Sequence, residues 1–341
     1  MVSVNSKKFL MGVLMFCTPI VAISTLFFGR YEMDYVSVFK ELYNSLFVRD
    51  YEKSTELIIL ETIRIPRMIL AMIVGAGLAM SGAALQTIFK NPLVSPQFLG
   101  FSGGAAFGGA LAIFFGLGTI YLVSSAFFFA LLAIVLVFVL SGAYKKASIL
   151  TVILSGIVIT AFFGAATSLL TFFADPYSNL PAIVFWLMGS ISSASYEKIL
   201  IAFIPFLIGG YALFAVRWKL NLLALSDEEA KSFGINPDYL RWFVLISVAL
   251  IVSSGVSVVG EVGWVGLVVP YIARILFGSD CRYLIPASAF LGAMFLVVVD
   301  TVARSMTTVE IPIGILTAFI GSPIFFILLR KYMKKGFDDK D

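Results

Sequence analysis

Two stretches of this 341-residue chain contain no charged side chain for longer than any soluble fold would tolerate, residues 91–144 and residues 147–174. The first is long enough for two crossings of a bilayer and the second for one. Hydrocarbon offers no water to the backbone, so runs of this kind fold as helices that satisfy their own N–H and C=O groups. The longer run divides near Gly116 to Gly118. Further apolar segments at residues 9–29, 68–88, 199–216, 242–260, 262–277, 284–299 and 311–329 bring the count to about ten spans. Segment 262–277 has the shortest charge-free run, because only twelve residues separate Glu261 from Arg274, and that length suits a half-helix. The expected fold class is therefore an all-α polytopic membrane protein, a single transmembrane domain over residues 1–341.

Composition agrees: 60% of the residues are hydrophobic and 13% charged, against about 25% charged in a soluble domain. Lys7 and Lys8 precede an apolar run that lacks a small-residue cleavage site, so this run reads as a retained first helix. An even number of spans puts both termini on one side. With the termini cytosolic, 16 of the 24 Lys and Arg residues fall inside, as the positive-inside trend requires. Residues 30–67 are then external and polar enough to meet water. Residues 176–196 are uncharged and rich in Ser and Pro, which suits a segment lying along the outer face.

Small residues recur every fourth position at Gly156, Thr160, Gly164 and Ser168, and again at Gly100, Gly104, Gly108 and Ala112. Each set forms one stripe on a helix, and the residue types alone favour close helix packing over the lining of a passage. Ser81-Gly82 precedes Leu93-Val94-Ser95-Pro96 much as Ser254-Gly255 precedes Leu267-Val268-Val269-Pro270, a faint repeat whose halves run in opposite directions.

Chemistry is sparse. The net charge of +4, with scattered cations, makes no nucleic-acid surface. The sequence contains no histidine, which excludes His-based metal sites and His general bases, and no cofactor is expected. Cys17 and Cys281 fall in the first apolar run and a late loop and form no disulfide framework. A phosphate-cradling loop ends in Gly-Lys-Ser/Thr, yet no Gly-Lys dipeptide occurs. The charges nearest the membrane, Asp175, Glu261, Asp300, Arg304, Glu310, Arg64 and Arg67, all fall at span ends. Ion-coupled carriers place carboxylates nearer the midplane. A separate ATPase is then the simplest energy source; an ion-coupled secondary transporter is the next reading and an intramembrane enzyme a distant third.

Asp300 and Arg304 stand four apart, and a structural ion pair at a helix end is the favoured reading. Arg64 and Arg67 lie on the side where arginine is disfavoured and call for an acidic partner or lipid phosphate. Residues 220–240 face the cytosol. Ser226 with Glu229 makes a capping box, and Gly234 with Pro237 a stop, so a helix of about two turns is predicted between them. Leu222, Leu223, Leu225 and Phe233, beside Asp227, Glu228 and Lys231, suit a docking surface for a cytosolic protein.

At this point the residues become specific. IRIPRMILAMIVGAGLAMSGAALQTIFKNPLVSPQFLGFSGGAAFG, from Ile63, closely resembles the second and third helices of FecCD-like permeases, the iron-siderophore and vitamin B12 class of ABC importers. WLMGSISSASY, LNLLALSDEEAKSFGIN and the run from VGLVVPYIARILFGSD to IGSPIFFILL follow the same pattern in order, over residues 63–330. The resemblance implies a type II ABC importer permease, a homodimer in membrane lipid with one axial passage, cytosolic ATPase subunits below and an extracytoplasmic solute-binding protein above. By position, Arg64, Arg67 and Arg304 resemble the arginines that receive acidic residues of the binding protein. Leu225, Ser226, Asp227, Glu228, Glu229, Ala230, Phe233 and Gly234 resemble the segment that couples to the ATPase. Asn91, Pro92 and Leu93, with Ile149 and Leu150, resemble the inner gate. The stripe of Gly156, Thr160, Gly164 and Ser168 resembles the passage lining, which gives it a dual role. The chain departs from the pattern at Tyr271, where a histidine is usual, at Ser226, where a glycine is common, and at Ser95. The cargo implied is a metal chelate of the iron-siderophore, haem or cobalamin class, with a small metal oxyanion such as molybdate or tungstate as the alternative.

Overall fold

The computed structural model describes residues 4–31, 33–48, 54–142 and 149–338. In chain order the helices are α1 Val4–Thr25, α2 Tyr35–Phe47, α3 Thr55–Ile59, α4 Ile65–Ile88, α5 Phe101–Phe114, α6 Thr119–Leu140 and α7 Ile149–Phe173. They continue as α8 Asn179–Leu187, α9 Tyr196–Val216, α10 Asp227–Ser232, α11 Pro237–Val259, α12 Val265–Phe277, α13 Cys281–Ser305 and α14 Ile313–Asp338. Among the described residues, seven helices are long and apolar enough to cross a bilayer, and α5, α12 and the start of α14 are shorter apolar pieces. The fold is the all-helical one expected, and the ten apolar segments correspond to α1, α4 to α7, α9 and α11 to α14.

The two most enclosed spans are α4 and α11. Small residues let backbones meet there: a Cβ added at Gly75 would sit 2.2 Å from the Gly292 carbonyl of α13, and one at Gly82 only 1.8 Å from that of Gly266 in α12. Such approach is how helices associate in lipid, where apolar surface alone gives no preference for protein over acyl chain. The stripe at Gly104 and Gly108 does the same against the Phe129 and Ser125 carbonyls of α6.

Around these spans the faint repeat becomes visible as architecture. Each long buried span, α4 or α11, is followed by a loop, which after α4 includes a 3₁₀ turn at Pro96–Leu99, and then by a helix of only 14 or 13 residues, α5 or α12. At 1.5 Å per residue each is about 20 Å long, short of the roughly 30 Å of hydrocarbon. The half-helix expected at residues 262–277 is α12. The two halves are antiparallel, since Lys90, just beyond the end of α4, bonds Leu225 just ahead of α10 and the start of α11.

The sequence expectation differs from the structure before α4. Residues 30–67 were expected to be water-exposed, with a span beginning at residue 68; instead α3, a π-helical turn at Leu60–Arg64 and α4 form one continuous rod over Thr55–Ile88. Arg64 and Arg67 lie inside that rod and are buried. A charge-free window cannot include an arginine, yet one with acceptors waiting inside the protein can be buried. Residues 176–196 fold as α8 and a loop. Backbone bonds to the ends of α11 and α14 stitch this segment down: Ile313 N donates to Gly189 O at 3.0 Å, Gly314 N to Met188 O at 3.1 Å and Ser190 N to Val259 O at 2.7 Å.

Candidate functional site

At the end of the bundle where α1 finishes and α4 begins, three arginines meet. Arg67 pairs through Nη2 with Asp300 Oδ1 at 2.8 Å and through Nη1 with Glu310 Oε1 at 2.5 Å. Arg304 approaches the other Asp300 oxygen at 3.7 Å and donates to the Thr25 carbonyl at 2.6 Å. Arg64 donates to the carbonyls of Leu26, at 2.5 Å, and Tyr31. The last carbonyls of a helix have no intrahelical donor, so Arg64 and Arg304 cap α1 while Asp300 joins α4 to α13. All three guanidinium groups are buried, at 2%, 4% and 8% exposure. The Asp300–Arg304 pair predicted from spacing is present, with Arg67 as its third member. The acid that Arg67 called for comes from this chain rather than from outside it. A cavity of about 250 Å³, bordered by Gly29, Tyr31, Arg64, Arg67, Arg304 and Glu310, opens beside the cluster.

At the opposite end, α10 has the predicted capping box: Glu229 N donates to Ser226 Oγ at 3.3 Å and Ser226 N to Glu229 Oε2 at 2.9 Å. Those bonds from the Ser226 backbone and hydroxyl hold the Glu229 carboxyl below its ordinary value. Asp227 is likewise lowered, chiefly by its hydrogen bond from Arg241, which lies 2.6 Å away. Gly234 ends the turn with φ +76°. Ala230 is buried against the bundle, whereas Glu228 and Phe233 are exposed, Phe233 at 64%. Of the leucines expected on a docking surface, Leu225 is at the surface and Leu222 half-buried, but Leu223 belongs to the core. It lies in the 3₁₀ turn Lys219–Ala224, which tucks one side inward.

The residues expected at an inner gate form a local turn, in which Asn91 Oδ1 accepts from Leu93 N at 2.9 Å, with Pro92 and Leu93 half-buried. Ile149 opens α7 and Leu150 is exposed; the turn at residues 143–148 lies outside the described residues. The α7 stripe divides in two. A Cβ at Gly156 would meet the Phe98 carbonyl at 2.3 Å, and Thr160 faces Gly103, while Gly164 has nothing within 4 Å and Ser168 is exposed. One half packs and the other is open.

Sequence reasoning missed one cavity. Gln97, Met188, Glu261, Trp264, Ile315 and Phe319 border about 400 Å³, with Gln97 Nε2 3.4 Å from Glu261 Oε1. Glu261 does stand at the end of α11. However, residues 260–264 turn back between α8 and α14, with Gly263 against Gln97 and Trp264 against Gly321. Gly260 and Gly263 on either side of Glu261 were the available signal for such a re-entrant stretch.

The model of the FecCD transport family matches residues 17–331. The molybdate import system permease protein MolB of Haemophilus influenzae is 40% identical over 94% of this chain and 95% of its own length. A Helicobacter pylori relative assigned to iron chelatin transport is 44% identical over 83% of this chain and 86% of that one. The cobalamin import system permease protein BtuC of Halobacterium salinarum is 36% identical over 81% and 74%. A solved structure assigned to the metal-chelate type of ABC transporter, in an inward-facing conformation, superimposes with a TM-score of 0.85 at 39% identity, covering 94% of this chain and 99% of that one.

Proposed function

The chain belongs to the FecCD transport family, the membrane permeases of ABC importers, and from that premise we propose that it imports a metal chelate of the iron-siderophore, haem or cobalamin class. ATP hydrolysis in such importers is carried out by a separate subunit. In this reading a second copy completes the passage, a solute-binding protein delivers the cargo to the arginine end, and the α10 end faces the cytosol with both termini.

The observation that carries the reading is the α10 segment. A two-sided cap and the Asp227–Arg241 pair fix a very short helix at the surface, with Glu228 and Phe233 left uncovered. So short a helix is unstable by itself, and anchoring it rigidly suits a part that must transmit force to a partner. At the other end, the cavity beside Arg64, Arg67 and Arg304 suits reception of an acidic side chain of the binding protein. The turn at Asn91 to Leu93 with Ile149 and Leu150 serves as inner gate, and Gly164 and Ser168 line the passage.

A molybdate-class oxyanion is the second reading, favoured by the similarity to MolB over 94% of the chain. The iron chelatin and cobalamin relatives keep the chelate as the first reading. The test is uptake into liposomes holding this permease with its ATPase and binding protein. Labelled ferric chelate should accumulate and molybdate should not. Transport of molybdate alone would overturn the chelate assignment, and transport with no ATPase would overturn the importer itself. Phe233→Ala should leave the protein folded yet uncouple ATP hydrolysis from uptake.

A further inference from the structure

At the α10 end a second cavity, of about 550 Å³, opens between the C-terminal ends of α4 and α12, bordered by Gln86, Lys90, Asn91, Asn221, Arg274 and Ser279. Arg274 occupies the last turn of α12, where a cation suits the helix dipole. The dipole accounts for the position but leaves two donors unaccounted for, because Nε and Nη2 of Arg274 are buried without a hydrogen-bond partner. Desolvated donors on a charged group are costly to leave unmade. Asp280, six residues further along the chain, is already bonded by Arg282 at 2.7 Å and Asn221 at 2.9 Å. Lys90 brings a second positive charge, and among the described residues no carboxylate borders the cavity.

The pattern of free groups narrows the ligand. Two adjacent N–H groups of one guanidinium match two oxygens of a tetrahedral oxyanion. Gln86 adds a buried, unpartnered Oε1, its Nε2 being used on the Leu267 carbonyl at 3.2 Å. An acceptor on the wall repels an anion made only of acceptors and matches one that carries an O–H. We infer that this cavity binds a hydrogen-bearing phosphate group, held by the Arg274 fork, with Lys90 as second cation and Gln86 accepting from the protonated oxygen. Free inorganic phosphate and the monoester headgroup of phosphatidic acid both have this chemistry. The site is joined to the α10 segment through Lys90, whose Nζ donates to the Leu225 carbonyl at 2.6 Å. The inference does not depend on which cargo the permease carries.

The test uses the full-length permease in nanodiscs of phosphatidylcholine, titrated at constant ionic strength with inorganic phosphate, then with sulfate as competitor, and followed by calorimetry. A separate arm adds a minor fraction of phosphatidic acid and counts retained lipids by native mass spectrometry. Saturable phosphate binding, weakened about tenfold or more in Arg274→Gln and little affected by sulfate, identifies the free anion. Retention of phosphatidic acid by the wild type and its loss in the variant identifies the lipid. Should Arg274→Gln fail to fold, Lys90→Gln, at the edge of the cavity, serves in its place, and Lys231→Gln on α10 is the control that should bind as wild type. Absence of both phosphate binding and lipid retention in the wild type would overturn the inference. So would binding unchanged in both cavity variants, or equal binding of sulfate.

Discussion

The two ends of the bundle handle charge in opposite ways. At the arginine end, three guanidinium groups and two carboxylates are drawn into the protein and bonded to one another and to the end of α1. At the α10 end the paired charges sit at the surface, as Asp227 with Arg241 and Asp280 with Arg282, and the half-buried Arg274 has two enclosed N–H groups without a partner. The first pattern ties spans together and the second leaves charge available to a partner. Arginines that sequence position marks for docking therefore have a structural task first, and any partner at that end must compete for groups already engaged.

The largest effect that would sharpen this contrast is expected from Asp300→Ala. It leaves Arg67 and Arg304 buried with one shared carboxylate gone, and breaking such a network by removing one partner typically costs about 3–5 kcal/mol. Thermal unfolding in detergent should show a large loss for Asp300→Ala and a smaller one, about the 1 kcal/mol of a helix cap, for Asp280→Ala, whose ion-pair partner Arg282 is 64% exposed. Similar losses at both ends would break the comparison.

Next in size is the α10 cap. Ser226→Ala removes the acceptor for Glu229 N, and the loss of such a cap costs about 1 kcal/mol. Because α10 has only six residues and one buried side chain, Ala230, the loss should remain local. Hydrogen exchange should rise over residues 227–232 and stay unchanged in α11. A global fall in stability would mean that α10 secures the bundle instead of being secured by it.

These two ends also differ in how far the sequence disclosed them. The α10 segment was legible almost to the residue, since capping boxes and stop glycines act over three or four positions and leave a local signature. Ten apolar segments were legible for the same reason, each being a property of one window. What stayed hidden depends on contacts far apart in the chain. The Arg67–Asp300 pair spans 233 residues, and nothing near Arg64 announces that the carbonyls of Leu26 and Tyr31 await it. The re-entrant path of residues 260–264 is likewise fixed by Gly189, Gln97 and Gly321, none of which is close in sequence. Leu223 was expected outside as part of the cytosolic segment that carries Asp227, Glu228 and Lys231, and a 3₁₀ turn reverses that.

The smallest expected effect concerns acid. Asp280 caps α13 and accepts from Arg282, chiefly through the side-chain bond, which lowers its carboxyl from 3.8 to about 2. A depressed carboxyl adds stability that is fully present above the unfolded value and fades as the pH falls through the folded one. Its contribution should therefore hold at neutral pH and disappear between about pH 4 and pH 2, with Asp280→Asn removing that segment of the pH profile. Unfolding of the wild type and Asp280→Asn, followed in steps from pH 5 downward, isolates this contribution. Parallel profiles for the two proteins would mean that the Asp280–Arg282 pair contributes nothing, leaving Asn221, which bonds both Asp280 and the Cys281 amide, as the group that holds the start of α13.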